Sequence, residues 1–368
     1  MFQLTNRQKT ILDLIPKDGR VSTSNLQKMS QIGMNVLSKE LKVLEKRNLV
    51  KRIVDTSRRP PGTFYSHNKT RFHFELDEKF IKSHFLWIQR KQNHDGSWNE
   101  INHDLKDRLS IIKQKIVYTN QILRLFDVAG KHNLKAAKTA SNFIEHAPTI
   151  QTTEYDYSLR FYPYYYFNNK YQAKKAVEEI AQSQRKSGIS ESRRYLQFWF
   201  ALLYTTEILY VYDKETFRKE IDRATNVILR NLDESNWDDN PSITSWALRI
   251  LKYTNKLNRL PDTDGSKSIE WLDNKLNGSK WDLDFEPPKD TITPEIACDF
   301  TTTSHVLINL IELTDIMNDD QIENCIKRPF QWLKRQSSGN YFNGRTKPDP
   351  YVTSLALRAL IKVTKFVN

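Results

Sequence analysis

Four stretches decide the fold: WIQRKQNHDGSW at Trp87–Trp98, VILRNLDESNW at Val227–Trp237, WLDNKLNGSKW at Trp271–Trp281 and WLKRQSSGNY at Trp332–Tyr341. Each runs from an apolar helix end, through a polar turn, to an aromatic residue. Gly96 and Gly278 supply the tight turn, because glycine enters left-handed backbone at no steric cost. A second apolar helix follows each turn. Three of these helices share a pattern: Thr244-Ser-Trp-Ala-Leu248, Thr303-Ser-His-Val-Leu307 and Thr353-Ser-Leu-Ala-Leu357, with Thr119-Asn-Gln-Ile-Leu123 as a looser copy. One helix pair cannot bury its apolar face alone, so such units stack on their neighbours.

Two degenerate copies fit between the clear ones. One is Ala140–His146 with the aromatic run after it; the other is Ala176–Gly188 followed by Leu196–Leu209. The pattern therefore predicts six helical hairpins, with first helices starting near 82, 135, 172, 218, 267 and 325. Inner helices are expected near Thr119, Gln197, Thr244, Thr303 and Thr353, and the aromatic run 155–167 falls where the second inner helix starts. The turn Gln-x-x-x-Gly-x-Trp, as in Gln92–Trp98, closely resembles the QW repeat of terpenoid cyclases and the hairpins of protein prenyltransferase β subunits. The resemblance covers about residues 80–368. It implies a mainly α chain whose six hairpins close into an α/α toroid (an α6/α6 barrel), with inner helices lining a central cavity.

The catalytic motifs of those families are missing. Class II terpenoid cyclases protonate an alkene with Asp-x-Asp-Asp, and Asp282-Leu-Asp284-Phe lacks the final acid. Class I enzymes hold magnesium on Asp-Asp-x-x-Asp, because carboxylates bridge that hard cation to diphosphate. Asp238-Asp239-Asn-Pro-Ser lacks the last acid. Asp319-Asp320-Gln-Ile-Glu323 sits at a polar hairpin end and reads as a solvated loop. Prenyltransferase β subunits hold zinc on Asp, Cys and His, donors suited to that metal. Asp299-Phe300 matches the start of their Asp-Phe-Tyr-His-Thr helix, but the histidine position falls on Thr302. No catalytic residue, metal or cofactor is expected, and Cys298 and His305 read as structural.

The amino-terminal segment differs in charge. The chain has 368 residues and a formal net charge of +13. Residues 1–72 hold 15 Lys/Arg against 5 Asp/Glu, so most of the imbalance lies there. Leu4 to Ile15 reads as a helix with Thr5 as N-cap, Ser22-Thr-Ser24 opens a second helix carrying Leu26 and Met29, and a third runs from about Asn35 to Arg47. In that third helix Val36, Leu37, Leu41, Val43 and Leu44 are expected to face the other two. Leu49–Val54 and Thr63–Ser66 read as strands around a basic hairpin tip. This order resembles the winged helix-turn-helix domains of bacterial and archaeal regulators. The resemblance implies duplex DNA as partner, with Asn35, Ser38, Lys39 and Lys42 near base edges and Arg58 and Arg59 on the backbone or minor groove.

The expected organisation is a winged-helix domain at 1–68, a connector at 69–82 and a toroid at 83–368. The leading functional reading is a DNA-binding transcriptional regulator whose toroid senses a ligand or contacts a protein. The alternative is an enzyme of the terpenoid cyclase or prenyltransferase class acting on isoprenoid substrates, and the second alternative is a protein-binding scaffold. Terpenoid cyclases line their cavities with aromatics, and pockets are mostly apolar with a few polar anchors. The resemblance thus implies a pocket for a hydrophobic small molecule from Tyr155, Tyr157, Phe161, Tyr164, Tyr165, Trp199, Trp246 and His305. No stretch approaches 18 consecutive apolar residues, which argues against a membrane span, and the start carries no secretory pattern. Two cysteines make no disulfide framework, so a reducing cytoplasm is expected, with nucleoid association and a homodimer.

Overall fold

Thr5 opens the first helix as the sequence predicts. Its hydroxyl accepts from the Gln8 amide and the Gln8 side chain returns to the Thr5 amide, a reciprocal capping box. The computed structural model describes residues 5–15, 20–46, 50–55, 62–67, 74–99, 108–148, 154–167, 169–186, 196–282 and 298–367. The chain divides into two compact units, Met1–His73 and Phe74–Phe366.

The smaller unit runs α1 (Asn6–Leu14), β1 (Arg20–Ser22), α2 (Thr23–Ser30), α3 (Met34–Lys46), β2 (Val50–Asp55) and β3 (Gly62–His67). The strands form an antiparallel sheet in the order β1-β3-β2, with Val21 opposite Tyr65 and Ile53 opposite Phe64. Leu37, Leu41 and Leu44 recur at helical spacing on one face of α3 and close a core with Ile11, Ile15, Val21, Leu26 and Val50. One expected contact is corrected. Val36 is 38% exposed, because α3 turns its Leu37–Leu41–Leu44 stripe inward.

The larger unit is mainly helical. Among its described residues, six antiparallel pairs follow one another: α4 (Glu78–Arg90) with α5 (Arg108–Val128), α6 (Lys135–His146) with α7 (Glu154–Tyr166), α8 (Lys170–Lys186) with α9 (Leu196–Asp213), α10 (Arg218–Arg230) with α11 (Pro241–Tyr253), α12 (Ser266–Asn274) with α13 (Asp299–Leu310), and α15 (Arg328–Gln336) with α16 (Pro350–Val367). A short helix, α14 (Asp319–Ile322), leads into α15. The second helix of each pair is inner. Every residue of α11 from Pro241 to Leu251 is buried, whereas α4 buries only the stripe His84, Phe85 and Ile88. Inner helices pack in chain order from α5 to α13. Contacts of α16 close the ring: Lys362 Nζ donates to the Ile308 carbonyl (3.1 Å) on α13, and Tyr118 on α5 donates to Asp349 (2.8 Å) just before α16.

The repeated tryptophan has a double role. The Trp98, Trp237 and Trp281 indoles donate to the carbonyls of Ile88, Ile228 and Leu272 (2.8, 2.7 and 2.8 Å), capping the end of the outer helix. Their backbone N–H groups donate to the hydroxyls of Thr119, Thr244 and Thr303 on the inner helix (3.1, 3.0 and 3.1 Å). One aromatic residue thus satisfies orphan helix carbonyls and fixes the outer helix against the inner one. The sixth hairpin corrects the sequence reading. Phe342, not Tyr341, holds this register, with its N–H 2.9 Å from the Thr353 hydroxyl. The second hairpin shows no such tie among its described residues. There Arg160 of α7 reaches back and donates to the Ala147 and Pro148 carbonyls (2.9 and 2.7 Å) at the end of α6.

Inner helices also start earlier than expected, at Arg108, Leu196, Pro241, Asp299 and Pro350, because the shared threonine marks the tie to the tryptophan rather than the first turn. The first toroid helix likewise begins at Glu78, inside the expected connector, with Asp77 as its N-cap. Phe74, ahead of it, is buried edge-on against Phe330.

Candidate functional site

All six inner helices contribute to one chamber at the barrel centre. Its lining includes Gln121 and Arg124 from α5, Leu159 from α7, Tyr204 and Glu207 from α9, Trp246 and Arg249 from α11, His305 and Asn309 from α13, and Tyr351 and Arg358 from α16. The repeat explains the set. Five residues after the shared threonine stand Arg124, Arg249 and Arg358, in the copies that begin Thr119, Thr244 and Thr353. The four inner helices that carry the shared threonine therefore bring the same position to the chamber, as Arg124, Arg249, Ile308 and Arg358, and three of these carry a guanidinium. The sequence reading stopped one residue short, at the leucine before each arginine.

Glu207 is the keystone. Its carboxylate accepts from the Tyr162 hydroxyl (3.0 Å), the Trp246 indole (2.8 Å), Arg124 (3.5 Å) and, at short range, Arg249. Burial would raise this carboxyl, but the Arg249 and Arg124 guanidinia outweigh burial and hold it at about 2. The Arg124 guanidinium lies over the Tyr162 ring at 4.3 Å and the Tyr204 ring at 5.0 Å, a double cation–π contact. Below this layer Glu312 pairs with Lys362 and lies 4.0 Å from Arg249. Burial brings the Lys362 ammonium down to about 8.

His305 borders the chamber. Burial first, then Arg358, Arg124 and Arg249, holds its imidazole at about 3, so the ring is neutral at physiological pH. Arg358 itself is 7% exposed. Burial, and then the facing Arg124, lower its guanidinium to about 10.

Of the sequence-predicted pocket residues, Trp246 and His305 line the chamber. Phe161, Tyr164, Tyr165 and Trp199 are not among its lining residues. Phe161 is fully buried and stacks on the exposed Tyr165 at 5.2 Å, beside Tyr212, while Trp199 packs against Phe198. The side chains of Tyr155 and Tyr157 lie outside the described residues. In the smaller unit Asn35, Lys39 and Lys42 are exposed on α3 and Ser38 is half-buried; Arg58 and Arg59 lie outside the described residues.

The acidic motifs stand apart from the chamber lining. Asp238 and Asp239 sit in left-handed backbone on an exposed turn. Asp282 is paired with Lys280, and Asp284 lies outside the described residues. Asp319 and Asp320 form the first turn of α14, capped by Asn318. Among the described residues no three His, Cys, Asp or Glu side chains gather as metal ligands. No helix among them is long and apolar enough to cross a membrane.

No protein-family model and no curated protein sequence matches this chain. Solved structures match its fold. The GH76A α-1,6-mannanase from Salegentibacter sp. HEL1_6 is 10% identical with a TM-score of 0.57, covering 79% of this chain and 99% of that one. An inactive variant of that enzyme in complex with α-1,6-mannotriose is 11% identical with a TM-score of 0.54, covering the same shares. The type II terpene cyclase MstE from Scytonema is 11% identical with a TM-score of 0.50, covering 78% of this chain and 97% of that one. These likenesses establish the α/α toroid fold. They also correct the leading functional expectation. The neighbours are enzymes built on the toroid, which overturns the regulator reading, and neither duplex DNA as partner nor nucleoid association finds support.

Proposed function

We propose that the chain is an enzyme whose toroid takes a small molecule in the central chamber. One observation carries this: five of the six inner helices bring polar or charged side chains to a single chamber, where a closed barrel would otherwise pack apolar residues. The fold shared with a mannanase and a terpene cyclase supports an enzyme over a regulator, although fold alone fixes no activity. The chamber's chemistry shapes the reading further. Glu207 is held ionised by two arginines, so it is no proton donor for alkene cyclisation. The space is also small. It measures about 70 Å³, where one water occupies about 10–15 Å³ in the same terms, so it admits a compact polar group rather than a folded isoprenoid chain.

The topology of the smaller unit, with a hairpin after α3 and β1 paired to β3, supports the winged-helix reading of its fold. That reading assigns the unit no partner.

The test is to extract the purified full chain and analyse the extract by mass spectrometry. The chain is then incubated with panels of phosphorylated, carboxylated and glycosidic small molecules, including prenyl diphosphates and α-1,6-manno-oligosaccharides. Turnover lost in the His305→Ala variant, with unfolding unchanged, supports the reading. A chain that carries no small molecule and turns over none of the panels overturns it.

A further inference from the structure

Charge does not balance in the chamber. Its lining holds three guanidinia, from Arg124, Arg249 and Arg358, and one carboxylate, Glu207. The partners of Glu207 are already assigned. Two oxygens offer about four acceptor sites, and Tyr162, Trp246, Arg124 and Arg249 take them. Glu312 is engaged by Lys362 and Arg249. Among the described residues no carboxylate lies within 4.0 Å of Arg358.

Arg358 is therefore a buried cation with little to hold it. Of its five N–H donors, one hydrogen bond is made, to Gln121 Oε1 at 3.4 Å, and its Nε has no partner. Gln121 is 5% exposed, and its Nε2 also has no partner. Both unpaired donors belong to residues that line the chamber. Burying an ion without a counter-charge costs several kcal/mol, which a well-packed apolar side chain at position 358 would avoid. Arg358, with one hydrogen bond for five donors and no carboxylate beside it, lines this space together with Arg124 and Arg249, and such a set of guanidinia constitutes a receptor for an anion.

We infer that the chamber is a built site for a compact oxyanion of the phosphate type, gripped by Arg358 of α16 together with Gln121 and Arg124 of α5. The inference rests on the chamber being a ligand space and adds the chemical class of the ligand. Volume and charge agree: about five waters' worth of room suits one phosphate-sized group, and the surplus positive charge requires an anion. Aromatic and apolar neighbours, Trp246, Tyr351, Leu159 and Ile308, give the chamber weakly polar walls, which strengthens each charged contact.

The experiment is calorimetric titration of the full chain, stripped by dialysis, with sodium phosphate at constant ionic strength and pH 7. Sodium chloride serves as control, and glycerol phosphate separates free phosphate from a phosphate ester. We expect saturable binding of phosphate or its ester near one equivalent, none of chloride, and at least tenfold weaker binding in Arg358→Met. The same variant should unfold at no lower urea concentration than the wild type in phosphate-free buffer, and it should lose the rise in midpoint that phosphate gives the wild type. A merely structural Arg358 moves the other way, with Arg358→Met destabilised in phosphate-free buffer. Should Arg358→Met fail to fold, Gln121→Leu is expected to weaken phosphate at least threefold. Absence of saturation in the wild type, or equal affinity in the variants, overturns the inference. If phosphate fails but another small molecule is bound or turned over, the anion assignment falls and the chamber reading survives. If phosphate binds and no panel is turned over, the site stands and the enzyme reading falls.

Discussion

Replacing Glu207 by glutamine removes one charge from the centre of the barrel and leaves the shape nearly unchanged. The magnitude follows from the structure. The carboxyl is held at about 2 in the folded chain against an ordinary value of 4.5. That difference, at about 1.4 kcal/mol for each pH unit, makes ionised Glu207 worth about 3 kcal/mol of stability at pH 7. Removing one partner of a buried ion pair costs about 3–5 kcal/mol by an independent route, because the remaining charges are stranded. Here Arg249, only 3% exposed, would be the stranded group. The assay is urea unfolding of wild type and Glu207→Gln from pH 7 down to pH 2.5. A carboxyl whose pKa falls on folding stabilises above its unfolded value and loses that contribution as pH drops. The gap between the two proteins should therefore be full at pH 5 and above, then narrow between about 4.5 and 2. Adding Arg249→Met to Glu207→Gln should recover part of the loss, since it removes the stranded cation. A gap below about 1 kcal/mol at pH 7, or one that does not narrow in acid, would refute the keystone role.

Three further outcomes are expected. Thr244→Val leaves the buried Trp237 N–H without its acceptor and should cost about 1–3 kcal/mol in urea unfolding, whereas Thr10→Val, whose hydroxyl makes an exposed bond to Asn6, should cost under about 0.5 kcal/mol. Gly96→Ala should destabilise more than Gly278→Ala. Both sites have positive φ (+88° and +67°), which costs about 1–2 kcal/mol for alanine, but at Gly96 a Cβ would also stand 2.4 Å from the Thr139 carbonyl oxygen, while at Gly278 it meets nothing within 4 Å. Cys325 is fully buried, and burial pushes its thiol up, so a thiol-reactive dye at pH 8 should label it only upon unfolding, at the rate followed by tryptophan fluorescence.

The toroid was legible because its repeat encodes bonds that each hairpin makes for itself. A tryptophan, a glycine and a threonine recur at the positions where an indole caps one helix and a hydroxyl tethers the next, so local chemistry wrote the fold into the sequence. The second hairpin was legible only as a gap. Its Arg160 does the capping from the inner helix, and nothing local marks an arginine for that task. Little of the candidate site was legible, since only two of the eight pocket residues named from the sequence stand in the chamber lining. Trp246 and His305 were among those the family resemblance implied, whereas Phe161, Tyr164 and Tyr165 of the aromatic run are not among the lining residues.

What the sequence determined by itself, then, is the hairpin, its turn and its repetition, since these depend on residues less than one repeat apart. The site needed the ring to close. Arg124, Glu207, Arg249 and Arg358 lie up to 234 positions apart in the chain and meet only because six inner helices converge on one axis. Whether a buried arginine is neutralised or left waiting for an anion depends on what the neighbouring inner helix brings to it. Arg249 pairs with Glu207, whereas Arg358 bonds only the Gln121 amide oxygen among the described residues, a distinction that spacing along the chain does not contain and tertiary geometry decides.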